Sequence, residues 1–97
     1  MFKLIYAQEL KQRMLSEPNL VLLDVRQEYE HQEFCLPGSI LIPLDQLADR
    51  VDELDEYRGQ ELIVYCKAGV RSAYACQILL AHQFTNLYNL ADGILAW

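Results

Sequence analysis

The 97-residue chain is 53% apolar and carries a formal net charge of −6. That length predicts one domain over residues 1–97, with enough apolar side chains for a core that needs no metal or disulfide staple. The acidic balance argues against a nucleic-acid partner, because phosphate binding calls for an excess of Lys and Arg. In chain order, "KLIYA" reads as a short edge strand, and Ala7, Leu10, Met14 and Leu15 then recur at helical spacing until "SEPN" stops the helix. "LVLLDV", Leu20 to Val25, is a near-continuous apolar run, the pattern of a strand buried on both faces of a parallel sheet. Gln27 to Phe34 is polar with two aromatics and reads as a short helix, "LPG" as a turn, and "SILIP" as a third strand ended by Pro43. Leu44, Leu47, Val51 and Leu54 form one amphipathic helical stripe, with Asp45, Asp49, Asp52 and Glu53 on its solvated side. Gly59 breaks the chain, "ELIVY" is the fourth strand, Ser72 to Gln83 a helix and "NLYNL" the last short strand before the apolar "ADGILAW".

Strands alternating with helices predict an α/β fold, a mainly parallel sheet flanked by helices on both faces. Ligands of such sheets gather outside the carboxyl ends of the strands. Cys35, Cys66 and Cys76 are odd in number and hold no C-x-x-C pair, which fits neither a disulfide framework nor a zinc site. No metal and no cofactor are expected, and the thiols are read as reduced, in a cytoplasmic setting. "MFKLIYAQEL" meets charge too early for a secretory signal, and no apolar run approaches the roughly 18 residues of a membrane helix. The expectation is a soluble, cytoplasmic protein without a membrane partner.

"YCKAGVRSA", Tyr65 to Ala73, falls where the fourth strand hands over to a helix, at the carboxyl edge. Gly69 permits backbone conformations closed to other residues. A curled loop can turn several N–H groups toward one point, and the positive end of the helix starting near Ser72 aims at the same point. Lys67 and Arg71 add cations. A cysteine held there has a lowered pKa and attacks as a thiolate. The alternative for Cys66 is a buried structural thiol beside a tight turn.

These residues and their surroundings resemble the rhodanese family of sulfurtransferases over nearly the whole chain. "LLDVRQEYEHQEFCLPGSILIPL" is similar to the family's first signature, "IVYCKAGVRSAYA" to its C-x-x-G-x-R active loop, and "LADGILAW" to its closing motif. The resemblance implies a thiosulfate sulfurtransferase working by a two-step reaction. Cys66 would take the sulfane sulfur of a small anionic donor as a persulfide and pass it to cyanide or a thiol. Lys67, Ala68, Gly69, Val70 and Arg71 would form the substrate cradle, with Lys67 and Arg71 drawing in the donor. Ser72 would lend a hydroxyl or start the helix. The family usually has histidine where this chain has Cys35 and glycine where it has Asp92, and relatives often continue past the position of Trp97.

Within the same family, a persulfide carrier or protein-interaction module handing sulfur to a partner protein is the main alternative. A cysteine-dependent phosphatase or arsenate reductase is a minor one, because four residues between Cys66 and Arg71 make a tighter ring than the five of the phosphatase signature. Asp24 and Arg26, at the active edge, are read as structural support. Cys76 is read as core and Trp97 as packing. His31 and His82 are read as surface residues, and Cys35 is placed at the amino edge of the sheet, opposite Cys66.

Overall fold

The computed structural model, which describes residues 1–97, alternates strand and helix in the order that the apolar pattern predicts. Strands β1 (Lys3–Ile5), β2 (Val21–Asp24), β3 (Ile40–Leu41), β4 (Leu62–Tyr65) and β5 (Leu87–Leu90) form one parallel sheet in the order β1-β5-β4-β2-β3. Helices α1 (Ala7–Ser16), α2 (Glu28–Glu33), α3 (Leu47–Arg50) and α4 (Val70–Ala81) lie between them. Every residue of β2 and β4 is buried, which is why both strands read as near-continuous apolar runs, broken only by Asp24.

Side chains alternate faces along a strand, and this parity sorts the core into two halves. Val21 and Leu23 of β2 and Leu62 and Val64 of β4 pack with Leu47 of α3 and Ala75 and Leu79 of α4. Leu22, Ile63 and Tyr65 face the other way, onto Ala7 and Leu10 of α1. Helices therefore cover both faces. The same parity sets Cys66, the residue after β4, among the side chains on the α4 face.

Residues 44–57 differ from the single helix predicted. They form a 3-10 turn at Leu44–Gln46, the one-turn α3, and a 3-10 stretch at Val51–Tyr57. The apolar spacing explains this. Leu44 and Leu47 are three apart, as are Val51, Leu54 and Tyr57, and three residues per turn brings each set onto one face. Leu47 and Leu54 are fully buried by it.

Helix α4 starts at Val70, two residues earlier than predicted, because Gly69 at φ 91° turns the chain directly into it. It also ends earlier. Gln83 stands in the left-handed region at φ 74°. Its N–H donates to the Leu80 carbonyl at 3.1 Å, and the Phe84 N–H to the Leu79 carbonyl at 3.0 Å. This pair of bonds is a Schellman stop without its usual glycine. Across the sheet, the Asp92 carboxylate accepts the first N–H of α1, at Ala7, at 3.0 Å. Asp92 thus serves an orphan donor of a helix 85 residues away. Trp97 is half-buried against the α1-side core, with the Lys11 ammonium 5.1 Å from its ring centroid. No helix is long and apolar enough to cross a membrane.

Candidate active site

Between β4 and α4 the chain curls around the Cys66 sulfur. Cys66 is only 1% exposed. Its Sγ accepts the Gly69 N–H at 3.1 Å and the Ser72 N–H at 3.3 Å, and lies 3.3 Å from the Ser72 Oγ. The loop's carbonyls point away from the sulfur and are used elsewhere. Those of Cys66 and Lys67 accept the N–H groups of Ile94 and Leu95, each at 3.0 Å, from a short 3-10 turn at Ile94–Ala96. Turning the carbonyls outward leaves the N–H groups facing inward.

Two glycines make this approach possible. A Cβ at Gly69 would collide with the Ala91 carbonyl, and one at Gly93 with the Lys67 carbonyl and the Ala68 Cα. Both residues also have positive φ, 91° and 69°. Burial by itself pushes the Cys66 thiol up. The Ser72, Ala68 and Gly69 amides act against it, as does the Ser72 hydroxyl wherever its proton faces the sulfur, and the balance lies below the ordinary cysteine value. A buried sulfur held by amides at a helix N-terminus is chemically suited to carrying negative charge and attacking an electrophilic atom.

The other residues singled out from the sequence fall in and around the loop. Lys67 and Ala68 are exposed, and Val70 is 64% exposed on the first turn of α4. Ser72 is fully buried and lies inside α4 rather than starting it. The Arg71 guanidinium is held by Glu30, at 2.8 and 3.0 Å in a two-pronged pair. Lys67, together with Tyr29, Glu30, Phe34, Ile94 and Leu95, lines a shallow hollow of about 260 Å³ beside the loop. A larger hollow of about 450 Å³ lies elsewhere, between Glu17–Leu20 and Gln60–Glu61.

Asp24 and Arg26 form a buried brace. Asp24 accepts from the Arg26 N–H at 2.9 Å, Nε at 3.0 Å and Nη2 at 2.9 Å, and from the Tyr65 hydroxyl at 3.1 Å. Burial alone would raise this carboxyl, but the Arg26 and His31 hydrogen bonds hold it below its usual range. His31, expected on the surface, is part of that brace, its Nδ1 2.8 Å from Asp24 Oδ2. Arg26 reaches on to the Phe34 carbonyl at 2.6 Å. His82 is half-buried at the end of α4, where its carbonyl accepts from Arg58 at 2.8 Å.

Cys35 is not at the amino edge. Its neighbours are tied to carboxyl-end residues, Phe34 through Arg26 and the Leu36 N–H through the Tyr65 hydroxyl at 3.1 Å. β3 pairs only with Leu23 and Asp24, the last residues of β2, and the chain nears the amino end only at Pro37, which lines a hollow with Pro18 and Leu20. No disulfide joins the three cysteines. Cys76 is fully buried in α4, and burial pushes its thiol up to about 12, as befits a core residue.

Two site residues were missed from the sequence. Glu30 braces Arg71 and also accepts the Gln27 N–H at 2.9 Å, and the Q-x-x-E spacing of a capping box was the available signal. Asn89 is 4% exposed at the end of β5. It donates to the Gly69 carbonyl at 3.1 Å and accepts from the Ser72 hydroxyl at 2.5 Å. An amide in an otherwise apolar strand must find partners when buried, and that was its signal.

Comparison with known proteins bears on the family and the fold. The family model described as "Rhodanese-like domain" matches residues 6–97. A sulfurtransferase of Allochromatium vinosum is 29% identical over 96% of the chain and 85% of that relative. A tRNA uridine(34) hydroxylase of Pectobacterium atrosepticum is 32% identical over 87% of the chain, which spans only 25% of that longer protein. Among solved structures, a rhodanese-like domain protein of Staphylococcus aureus superposes with a TM-score of 0.89 at 29% identity, over 99% of the chain and 91% of the neighbour.

Proposed function

Because the chain belongs to the rhodanese-like domain family, we propose that it is a cytoplasmic sulfurtransferase that passes a sulfane sulfur through a persulfide on Cys66. The observation that carries this reading is the buried Cys66 sulfur receiving two backbone N–H groups at the mouth of α4. In the first half-reaction the Cys66 thiolate attacks the outer sulfur of an anionic donor such as thiosulfate. A new S–S bond forms, the donor's S–S bond breaks, and sulfite leaves with the electron pair. In the second, cyanide or a thiolate attacks the outer sulfur and the Cys66 thiolate departs, ready for another turn. The inward N–H groups stabilise the charge on sulfur at each stage. Lys67 and Arg71 supply cations for the donor, while Ala68, Gly69, Val70 and Ser72 shape the ring. No step of this cycle calls for a metal or cofactor.

A second reading, transfer to a protein acceptor, is favoured by the apolar side chains around the loop. Tyr29, Phe34, Val70, Tyr74 and Leu95 are each more than half exposed there. Phosphatase chemistry is disfavoured by the ring of four residues between Cys66 and Arg71. Mass spectrometry after thiosulfate treatment tests the proposal. The expected result is one added sulfur on Cys66, lost again on adding cyanide with release of thiocyanate, and neither in folded Cys66→Ser. A sulfur-free Cys66, or full transfer by Cys66→Ser, would overturn it.

A further inference from the structure

The contact between Cys66 Sγ and Ser72 Oγ can run in either direction, and the direction decides what the serine does. If the hydroxyl donates, it supports the thiolate. If it accepts, it supports the thiol. A hydroxyl has one proton, so its other partner settles the matter. That partner is Asn89 Oδ1, at 2.5 Å.

The orientation of the Asn89 amide is itself determined. The Gly69 carbonyl, 3.1 Å away, can only accept, so the NH₂ group must face it and the amide oxygen must face Ser72. An amide oxygen can only accept in its turn. The Ser72 proton therefore lies on the Asn89 side, and lone pairs of the serine oxygen face the sulfur. Gly69, Ser72, Asn89 and Cys66 are all buried, so water does not relieve the assignment.

We propose that Asn89 is a positioning residue for the Cys66 sulfur: it draws the Ser72 proton away, so the serine oxygen accepts the thiol proton and charge on the sulfur is met by backbone N–H groups alone. One residue of β5 thus governs both ends of the cradle, the hydroxyl at Ser72 and the carbonyl at Gly69. The inference deepens the sulfur-transfer reading and, for its consequence in turnover, rests on it. Freeing the hydroxyl to donate makes the thiolate more stable. A more stable thiolate is a weaker nucleophile and a better leaving group. Where the sulfur is fully ionised, Asn89 therefore favours loading of the sulfur over its discharge.

The test is a pH titration of Cys66 alkylation by iodoacetamide, followed on the Cys66 peptide by mass spectrometry so that Cys35 and Cys76 do not interfere. Asn89→Ala lets the Ser72 hydroxyl turn to the sulfur, and the inflection is expected to fall by about one pH unit, the size of one hydrogen bond to a charged group. Ser72→Ala alone removes an acceptor and is expected to leave the inflection in place or lower it. The double variant should lose the fall seen in Asn89→Ala, because that fall needs the serine. A rise in Ser72→Ala would overturn the proposal, since it would show that the hydroxyl donates. So would a rise in Asn89→Ala, or a fall that survives in the double variant, since either marks a brace acting without the serine proton. A second readout separates the half-reactions above both inflections, where Asn89→Ala should load sulfur more slowly and discharge it faster. If the parent protein accepts no sulfur from thiosulfate, the sulfur-transfer reading fails, yet the alkylation titration still decides the role of Asn89.

Discussion

Arg71 stands between two anions, the Glu30 carboxylate that holds it and the donor proposed to arrive at Cys66. The pair joins the first turn of α2 to the first turn of α4, so it sets the position of the loop as well as its charge. Its hydrogen bond to Arg71 keeps the Glu30 carboxyl at about 2, against an ordinary value of 4.5. A depressed carboxyl stabilises the fold fully above its unfolded value and ceases to do so as protonation sets in. The contribution of the pair is thus whole above about pH 4.5 and drains away as the pH falls toward 2. Denaturant unfolding of Glu30→Gln should show less loss of stability across that window than the parent. An identical slope in both proteins would mean that the pair adds nothing. The cations and Cys66 were legible as residue types at fixed spacing. The partner of Arg71 was not, because Glu30 lies 41 residues away and nothing local ties the two together.

At the scale of elements, apolar periodicity located every strand, while boundaries went astray wherever backbone geometry rather than burial ended an element. Helix α4 is the clearest case. Its apolar pattern runs on past Ala81, but the chain turns left-handed at Gln83, where a side chain costs about 1 kcal/mol relative to glycine. Gln83→Gly should therefore raise unfolding stability by roughly 0.5–1 kcal/mol, read from the denaturant midpoint, with Cys66 reactivity unchanged. A loss of stability would show that the Gln83 side chain contributes more than its conformation costs. The stretch from Leu44 to Tyr57 makes a related point. Three-residue spacing within a mixed stripe is compatible with both helix types, and only the packing of Leu47 and Leu54 beneath the sheet decides between them.

For the whole molecule, the alternation of strand and helix predicted a parallel α/β sheet, and strand parity then placed Cys66 on the α4 face. What the alternation could not supply was the contact between distant ends of the chain. β1 pairs with β5, Asp92 serves Ala7, and residues 93–95 back the loop at Cys66 and Lys67. Gly93 is where this closure is tightest. Gly93→Ala would drive a methyl group into the Lys67 main chain at a position of positive φ. We expect a stability loss of about 2 kcal/mol or more and at least a tenfold loss of Cys66 reactivity, measured by denaturant unfolding and alkylation rate. Parent-like values of both would show that the loop does not depend on this backing.

The backing turn has a kinetic consequence. The Cys66 and Lys67 carbonyls are held by the N–H groups of residues 94 and 95, a closure spanning 28 residues across the pairing of β5 with β4. Contacts so far apart in sequence form late in folding, after local helices have grown. Refolding from denaturant should restore helical circular dichroism before the enhanced reactivity of Cys66 returns. During that interval the chain would hold its α/β framework around an ordinary thiol, so reactivity switches on only once the scaffold that controls it is complete.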